Sequence, residues 1–130
     1  MSNPLTKFDD SKDLIVFGDL PELLKPMQEK IYLDSVYAAG ISHLDDPELP
    51  AKLKPKEKLY LFREPENPHD QYAIRIDNEA GEKIGYIPKR SNRVFARLMD
   101  AGKILTAAVS DVEKTGRYCA LKVDLWMEDF

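Results

Sequence analysis

The sequence predicts a mainly β domain: six strands, mostly antiparallel, closed into a small barrel with a single helix between strands 4 and 5. Three observations predict it. Short segments of alternating apolar and polar residues recur, and the cleanest sets Cys119, Leu121, Val123 and Leu125 inward against Tyr118, Lys122, Asp124 and Trp126 outward. Beyond the first thirty residues only Lys89 to Ala101 combines helical periodicity with a start and a stop signal. No strand–helix–strand repeat of the kind that builds a parallel sheet is present.

The chain supports this element by element. Residues 1–30 read as an arm: the apolar run Leu14 to Phe17 is closed by Gly18, and Pro26 would end or kink a helix starting at Leu20. Four exposed apolar residues would cost solubility, so the run is expected to dock on the domain formed by residues 31–130. From Lys30 to Ser42 the pattern is extended, with Ile31, Leu33, Tyr37, Ala39 and Ile41 in one phase. Pro47, Pro50 and Pro55 make the next stretch a loop with at most one helical turn. Lys52, Lys54, Lys56 and Lys58 recur at every second position, which on an extended segment would guard a sheet edge. Leu59 to Phe62 forms strand 2, and Tyr72 to Asp77 strand 3. The hairpin turn Asp77 to Gly81 leads into strand 4, Glu82 to Ile87. Pro88 ends that strand because it cannot donate to a ladder. In the helix that follows, Val94, Phe95, Leu98 and Met99 form the apolar face, and Gly102 stops it. Strands 5 and 6 run from about Lys103 to Val112 and from Arg117 to Met127. The closest architecture is an OB-like barrel.

Composition bounds the function. The 130 residues suffice for one domain whose core folds without staples, and 43% hydrophobic with 32% charged content fits a soluble protein. No apolar run approaches membrane-helix length, and the start, MSNPLTKFDD, resembles neither a secretory signal nor a transit peptide, so a cytoplasmic location is expected. Cys119 is the single cysteine, and His43 and His69 are the only histidines. None has zinc-ligand spacing, so no metal and no cofactor are expected, and Cys119 reads as a buried inert thiol. A phosphate-cradling glycine loop, a nucleophile elbow and an HExxH pair are all missing, which argues against catalysis.

The polar chemistry is concentrated between Arg63 and Gly102. Asn67 and Asp70 offer acceptors on a loop stiffened by Pro65 and Pro68. Arg90, Arg93 and Arg97, spaced by three and four, share one helical stripe. The net charge is −4, yet residues 83–103 carry six cations against the single Asp100, and the local field guides a charged ligand more than the total. Acceptors beside a cationic stripe suit a ligand with both hydroxyls and phosphates, as nucleic acid has. Plainer readings stand beside this one. Asn67 and Asp70 can cap their own loop, Arg63 can pair with Glu64 or Asp70, Tyr37 can be a core aromatic, and the stripe can be a solvated face.

The order REPENPHD, then Ala73-Ile74, then GEKIGYIPK, then a basic helix ending in LMDAG resembles the HIRAN domain. That module occurs fused to helicases and also alone in bacterial proteins. The resemblance runs from Ile31 to Trp126. It implies an OB-like DNA-binding domain without catalysis, any ATPase belonging to the fused helicase. It implies single-stranded DNA as the partner, with its free 3′-hydroxyl end, in repair or fork processing beside a helicase or other repair protein. By position it implies Tyr37 as the pocket aromatic of the first strand, His69 as a flat ring stacking a base, and Asp70 as acceptor of the terminal hydroxyl. Tyr86 then lines the same pocket and Lys89 contacts phosphate. The family's binding form has an arginine where this chain has Val36. The alternative is a protein-interaction or adaptor domain that keeps the fold without the pocket; Val36 and the charge of −4 favour it.

Overall fold

The structure, a computed structural model, describes residues 30–128, of which Ile31–Glu128 form one compact unit. The expected docking of the arm through Leu14 to Phe17 lies outside the described residues. In chain order the elements are β1 (Lys30–Tyr37), β2 (Lys58–Arg63), β3 (Ile74–Asp77), β4 (Lys83–Tyr86), α1 (Lys89–Asp100), β5 (Leu105–Thr115) and β6 (Tyr118–Glu128). Six strands with one helix after the fourth is the expected order.

The strands form one sheet in the order β1-β6-β5-β2-β3-β4. The pairs β2/β3, β3/β4, β2/β5 and β5/β6 are antiparallel. Contacts between β1 and β6 also run in opposite directions: the Tyr32 ring meets Trp126, the Ser35 hydroxyl donates to Asp124, and Ala38 N–H donates to Leu121 O. Just past β1 the chain reaches the far edge, where Ala39 and Tyr86 exchange N–H···O bonds of 2.8 and 2.9 Å. The sheet is thereby curled into a half-barrel in which the segment just past β1 meets β4.

Gly85 permits that contact. Its φ is +154°, and a Cβ there would lie 3.0 Å from Ala39 O and 3.2 Å from the Ala38 Cβ. Immediately afterwards Gly40, at φ +78°, turns the chain into a 3-10 turn, Ile41–His43. Strand 1 therefore ends at Tyr37, short of the expected Ser42, because a left-handed glycine breaks the extended run.

Ile74, Ile76, Ile84, Ile87, Leu121, Val123 and Leu125 fill the core, each almost wholly buried. Burying one such side chain is worth about 1.5–3 kcal/mol. Two expected phases are corrected. In β1 it is Val36 that turns inward, 7% exposed, while Tyr37 is 53% exposed and is not a core aromatic. In α1 the buried side chains are Asn92, Phe95 and Ala96, with Leu98 and Met99 at the margin, and Val94 is 59% exposed. Positions 92, 95, 96 and 99 make an i, i+3, i+4, i+7 stripe centred on a polar residue, which apolar patterning passes over. Cys119 is half-buried.

Lys52, Lys54, Lys56 and Lys58 do not share an extended segment. Lys52 ends a 3-10 turn, Leu49–Lys52, and Lys56 has φ +72°, so the prolines and this turn break the alternation, although all four remain exposed. In β5, Leu105, Ala107 and Val109 alternate inward until the register with β6 shifts between Val109 and Asp111. The extra residue lets Val112, not Asp111, rejoin the core.

Candidate nucleic-acid interface

The loop from Glu64 to Asp70 is held by its own side chains and by two anchors. At the end of β2, the Arg63 guanidinium donates to Ala73 O (2.8 Å) and Gln71 O (3.0 Å) and grips both Asp100 oxygens at 2.9 and 3.1 Å. Its carboxylate partner is thus at the end of α1; neither Glu64 nor Asp70 fills that role. That hydrogen bond holds the Asp100 carboxyl below its ordinary pKa. Within the loop, Asn67 Oδ1 accepts from the N–H groups of His69 (2.8 Å) and Asp70 (3.2 Å), which is the Asx-turn reading of that residue. Asp70 Oδ1 accepts from Tyr72 N–H at 2.9 Å, and its Oδ2 accepts from Asn92 Nδ2 at 2.7 Å. Burial works against the Asp70 charge, but the bonds from Asn92 and Tyr72, with Lys89 and Arg63 nearby, outweigh it and lower the pKa.

A second network fixes Tyr86. Its hydroxyl donates to Glu64 Oε1 at 2.8 Å, and Asn67 Nδ2 donates to the same oxygen at 3.0 Å. The Arg75 guanidinium grips Asp77 at 2.9 and 3.1 Å and reaches Glu64 Oε2 at 3.4 Å. Burial and the adjacent Glu64 carboxylate push the Tyr86 phenol up to about 12. For Glu64, burial is outweighed by the bonds from Asn67 and Tyr86 and by the charges of Arg75 and Lys83, so its pKa is lowered. The Lys83 ammonium lies over the Tyr86 ring, 5.4 Å from its centroid.

Asn67, Asp70, Tyr86 and Asn92 from these two networks line a cavity of about 670 Å³. Ala39, Gly40, His43 and Leu44 supply one wall and Asn67, His69 and Asp70 a second, while Ala73, Lys83, Tyr86, Ile87, Lys89 and Asn92 complete it. The volume lies within the roughly 300–1,000 Å³ common for ligand sites. Of the residues expected from sequence, the structure brings Asn67, His69, Asp70, Tyr86 and Lys89 together in this cavity. Tyr37 is not in the lining. Arg90, Arg93 and Arg97 are also elsewhere: with Asp34, Ser91, Val94 and Phe95 they border a separate, shallower recess of about 400 Å³.

Sequence reasoning missed Asn92, Lys83 and the segment from Ala39 to Leu44. Asn92 carried a signal, a polar side chain in phase with Phe95 and Ala96 on the helix's inner stripe. It is 2% exposed, so its amide requires a partner, which Asp70 supplies. The Ala39–Leu44 segment carried none, because its place depends on the sheet curling until β1 meets β4. Among the described residues no cluster of three or more His, Cys, Asp or Glu side chains is placed to hold a metal, and no helix is long and apolar enough to cross a membrane.

Known proteins match this arrangement. The HIRAN domain pattern matches residues 31–128. Two curated relatives are helicase-like transcription factors. The one from Oryctolagus cuniculus is 41% identical over 44 residues, covering 34% of this chain and 4% of that protein. The one from Mus musculus is 26% identical over 92 residues, covering 71% of this chain and 7% of that protein. The chain thus matches only a small part of each relative's length. Among solved structures, a protein from Lactobacillus plantarum superposes with a TM-score of 0.71 at 28% identity, covering 79% of this chain and 99% of that one. The HIRAN domain of human HLTF superposes with a TM-score of 0.57 at 20% identity, covering 77% and 81%, a likeness of fold. With its pattern matched across the whole half-barrel, the chain belongs to the HIRAN-domain family.

Proposed function

We propose that residues 31–128 bind single-stranded DNA without catalysing a reaction on it, and that the cavity beside Asp70 holds a free 3′-hydroxyl end. The observation that carries this reading is the meeting, in one cavity, of the ordered Asp70 carboxylate, the ammonium groups of Lys83 and Lys89, and the rings of Tyr86, His43 and His69. Asp70 accepts two hydrogen bonds from the protein, and a carboxylate has about four acceptor positions, so capacity remains for a hydroxyl. The lysines suit the flanking phosphates and the rings suit stacking of bases. Tyr37, exposed two residues before the cavity wall at Ala39, offers a further stacking ring. A role in DNA repair or fork processing, beside a helicase, fits the family and the helicase-like relatives.

The test is competition among 3′-hydroxyl, 3′-phosphate and circular single strands. A hydroxyl donates to Asp70, whereas a terminal phosphate sets like charge beside it. A charge-assisted bond is worth about 1.5–3 kcal/mol, so the hydroxyl end should bind at least roughly tenfold tighter. Asp70→Asn should narrow that gap. Equal competition by all three strands would show that ends are not read. The net charge of −4 favours a protein-interaction role instead, and that role takes over if none of the strands binds at moderate salt.

A further inference from the structure

Helix α1 presents two chemically distinct sides. Lys89 and Asn92 face the cavity, and Asn92 is spent on Asp70. Arg90, Arg93 and Arg97 are exposed and border the other recess, together with Val94 and, from β1, Asp34. Among the described residues no carboxylate forms an ion pair with any of these three guanidiniums, whereas Arg63 and Arg75 are each held by carboxylates. Asp34 keeps its Oδ1 on the N–H of Ser35. Arg93 lies over the Tyr72 ring at 5.4 Å, which orients one guanidinium without neutralising it. Seven residues of helix separate Arg90 from Arg97, a rise of about 10.5 Å at 1.5 Å per residue. Three consecutive phosphates of a stacked strand, two nucleotide steps at about 3.4 Å each, cover about 7 Å, which lies within the span of the three arginine side chains.

We infer that the Arg90–Arg93–Arg97 face of α1 is a second nucleic-acid contact, separate from the cavity, which binds about three consecutive phosphates of a phosphodiester backbone without reading an end. The inference rests on DNA being the ligand, but not on the cavity holding a 3′ terminus. The backbone comes either from the onward course of the same single strand or from an adjoining duplex. Asp34 confines the phosphates to the arginine side of the recess. The contact is Coulombic, so it is independent of base sequence and sensitive to salt.

The experiment uses the full chain and DNAs without ends: a circular single strand and a closed dumbbell duplex. A 3′-hydroxyl dinucleotide, with one phosphodiester, serves as the probe too short to occupy the arginine face. Each is titrated by fluorescence anisotropy against the wild type, R90Q/R93Q/R97Q and R90K/R93K/R97K, between 50 and 200 mM salt. Removing three phosphate contacts should lower the salt slope by about 2.1 on the single strand or 2.7 on the duplex. Across that fourfold range in salt, wild-type affinity for the circular strand should then fall about 20-fold further than that of the glutamine variant. The lysine variant should keep the wild-type slope, and the dinucleotide should bind all three proteins within about twofold. Whichever endless DNA shows the loss identifies the source of the backbone. An unchanged salt slope on both, an equal loss on the dinucleotide, or a lysine variant as impaired as the glutamine variant each overturns the inference. If the end competition fails while the endless DNAs behave as stated, the arginine contact stands and the 3′-end reading falls.

Discussion

Asn92→Ala tests how the cavity is held in shape. In the structure the Asn92 amide is buried and donates to a carboxylate at 2.7 Å, joining α1 to the Glu64–Asp70 loop across 22 residues of sequence. A hydrogen bond to a charged group contributes about 1.5–3 kcal/mol net. Asp70 keeps the Tyr72 N–H and the nearby Lys89 and Arg63 charges, so it is not left bare, and a loss of about 2 kcal/mol is expected. For a domain of this size each kcal/mol moves Tm by about 4–8 °C, so Tm should fall by roughly 8–16 °C at pH 7. The pH dependence has a definite sign. Asp70 has a lowered pKa in the folded state, so its contribution is complete above the unfolded pKa and disappears as pH falls through the folded one. Removing Asn92 raises the folded value, and the gap between wild type and variant should therefore shrink below the ordinary aspartate pKa of about 3.9. Thermal unfolding followed by circular dichroism at pH 7 and near pH 3 measures both. A gap that stays constant across that range would mean the side chain acts through packing alone, and the charge-assisted account would be refuted.

Tyr86 should titrate at about 12, well above the ordinary tyrosine, because ionising it buries a second negative charge beside Glu64. Its share of stability is present below the unfolded pKa of about 10 and is lost as pH rises through the folded value. Ultraviolet titration of the wild type against Tyr86→Phe should show one late-ionising phenol missing from the variant; a variant curve identical to the wild type counts against the Glu64 bond. Gly85→Ala should cost about 1–3 kcal/mol, from a backbone conformation disfavoured for alanine and a Cβ pressed against Ala39 O. It should also speed amide exchange at Ala39 and Tyr86, whose mutual bonds close the half-barrel, and unchanged protection at those two amides would show that the closure does not depend on the glycine.

The sequence by itself determined the strand count, the position of the single helix and the Asp77 to Gly81 turn. These depend on local alternation, on residues that terminate strands, and on one helical stripe, all of which act within a few residues. It also singled out the loop from Asn67 to Asp70, because prolines and short acceptors carry their conformational preferences with them. Tertiary structure alone decided which side chains share the cavity. Lys89 and Arg90 are neighbours in sequence but face different surfaces, since Phe95 and Ala96 fix the helix's rotation against the core. Arg63 had acidic residues close by in sequence, yet folding brought it Asp100 from 37 positions away. Tyr37 and Val36 exchanged their expected sides because the inward phase of β1 is set by its pairing with β6. The wall from Ala39 to Leu44 exists only because the sheet curls until Ala39 meets Tyr86. Such contacts depend on long-range register and curvature, which no short window of residues encodes.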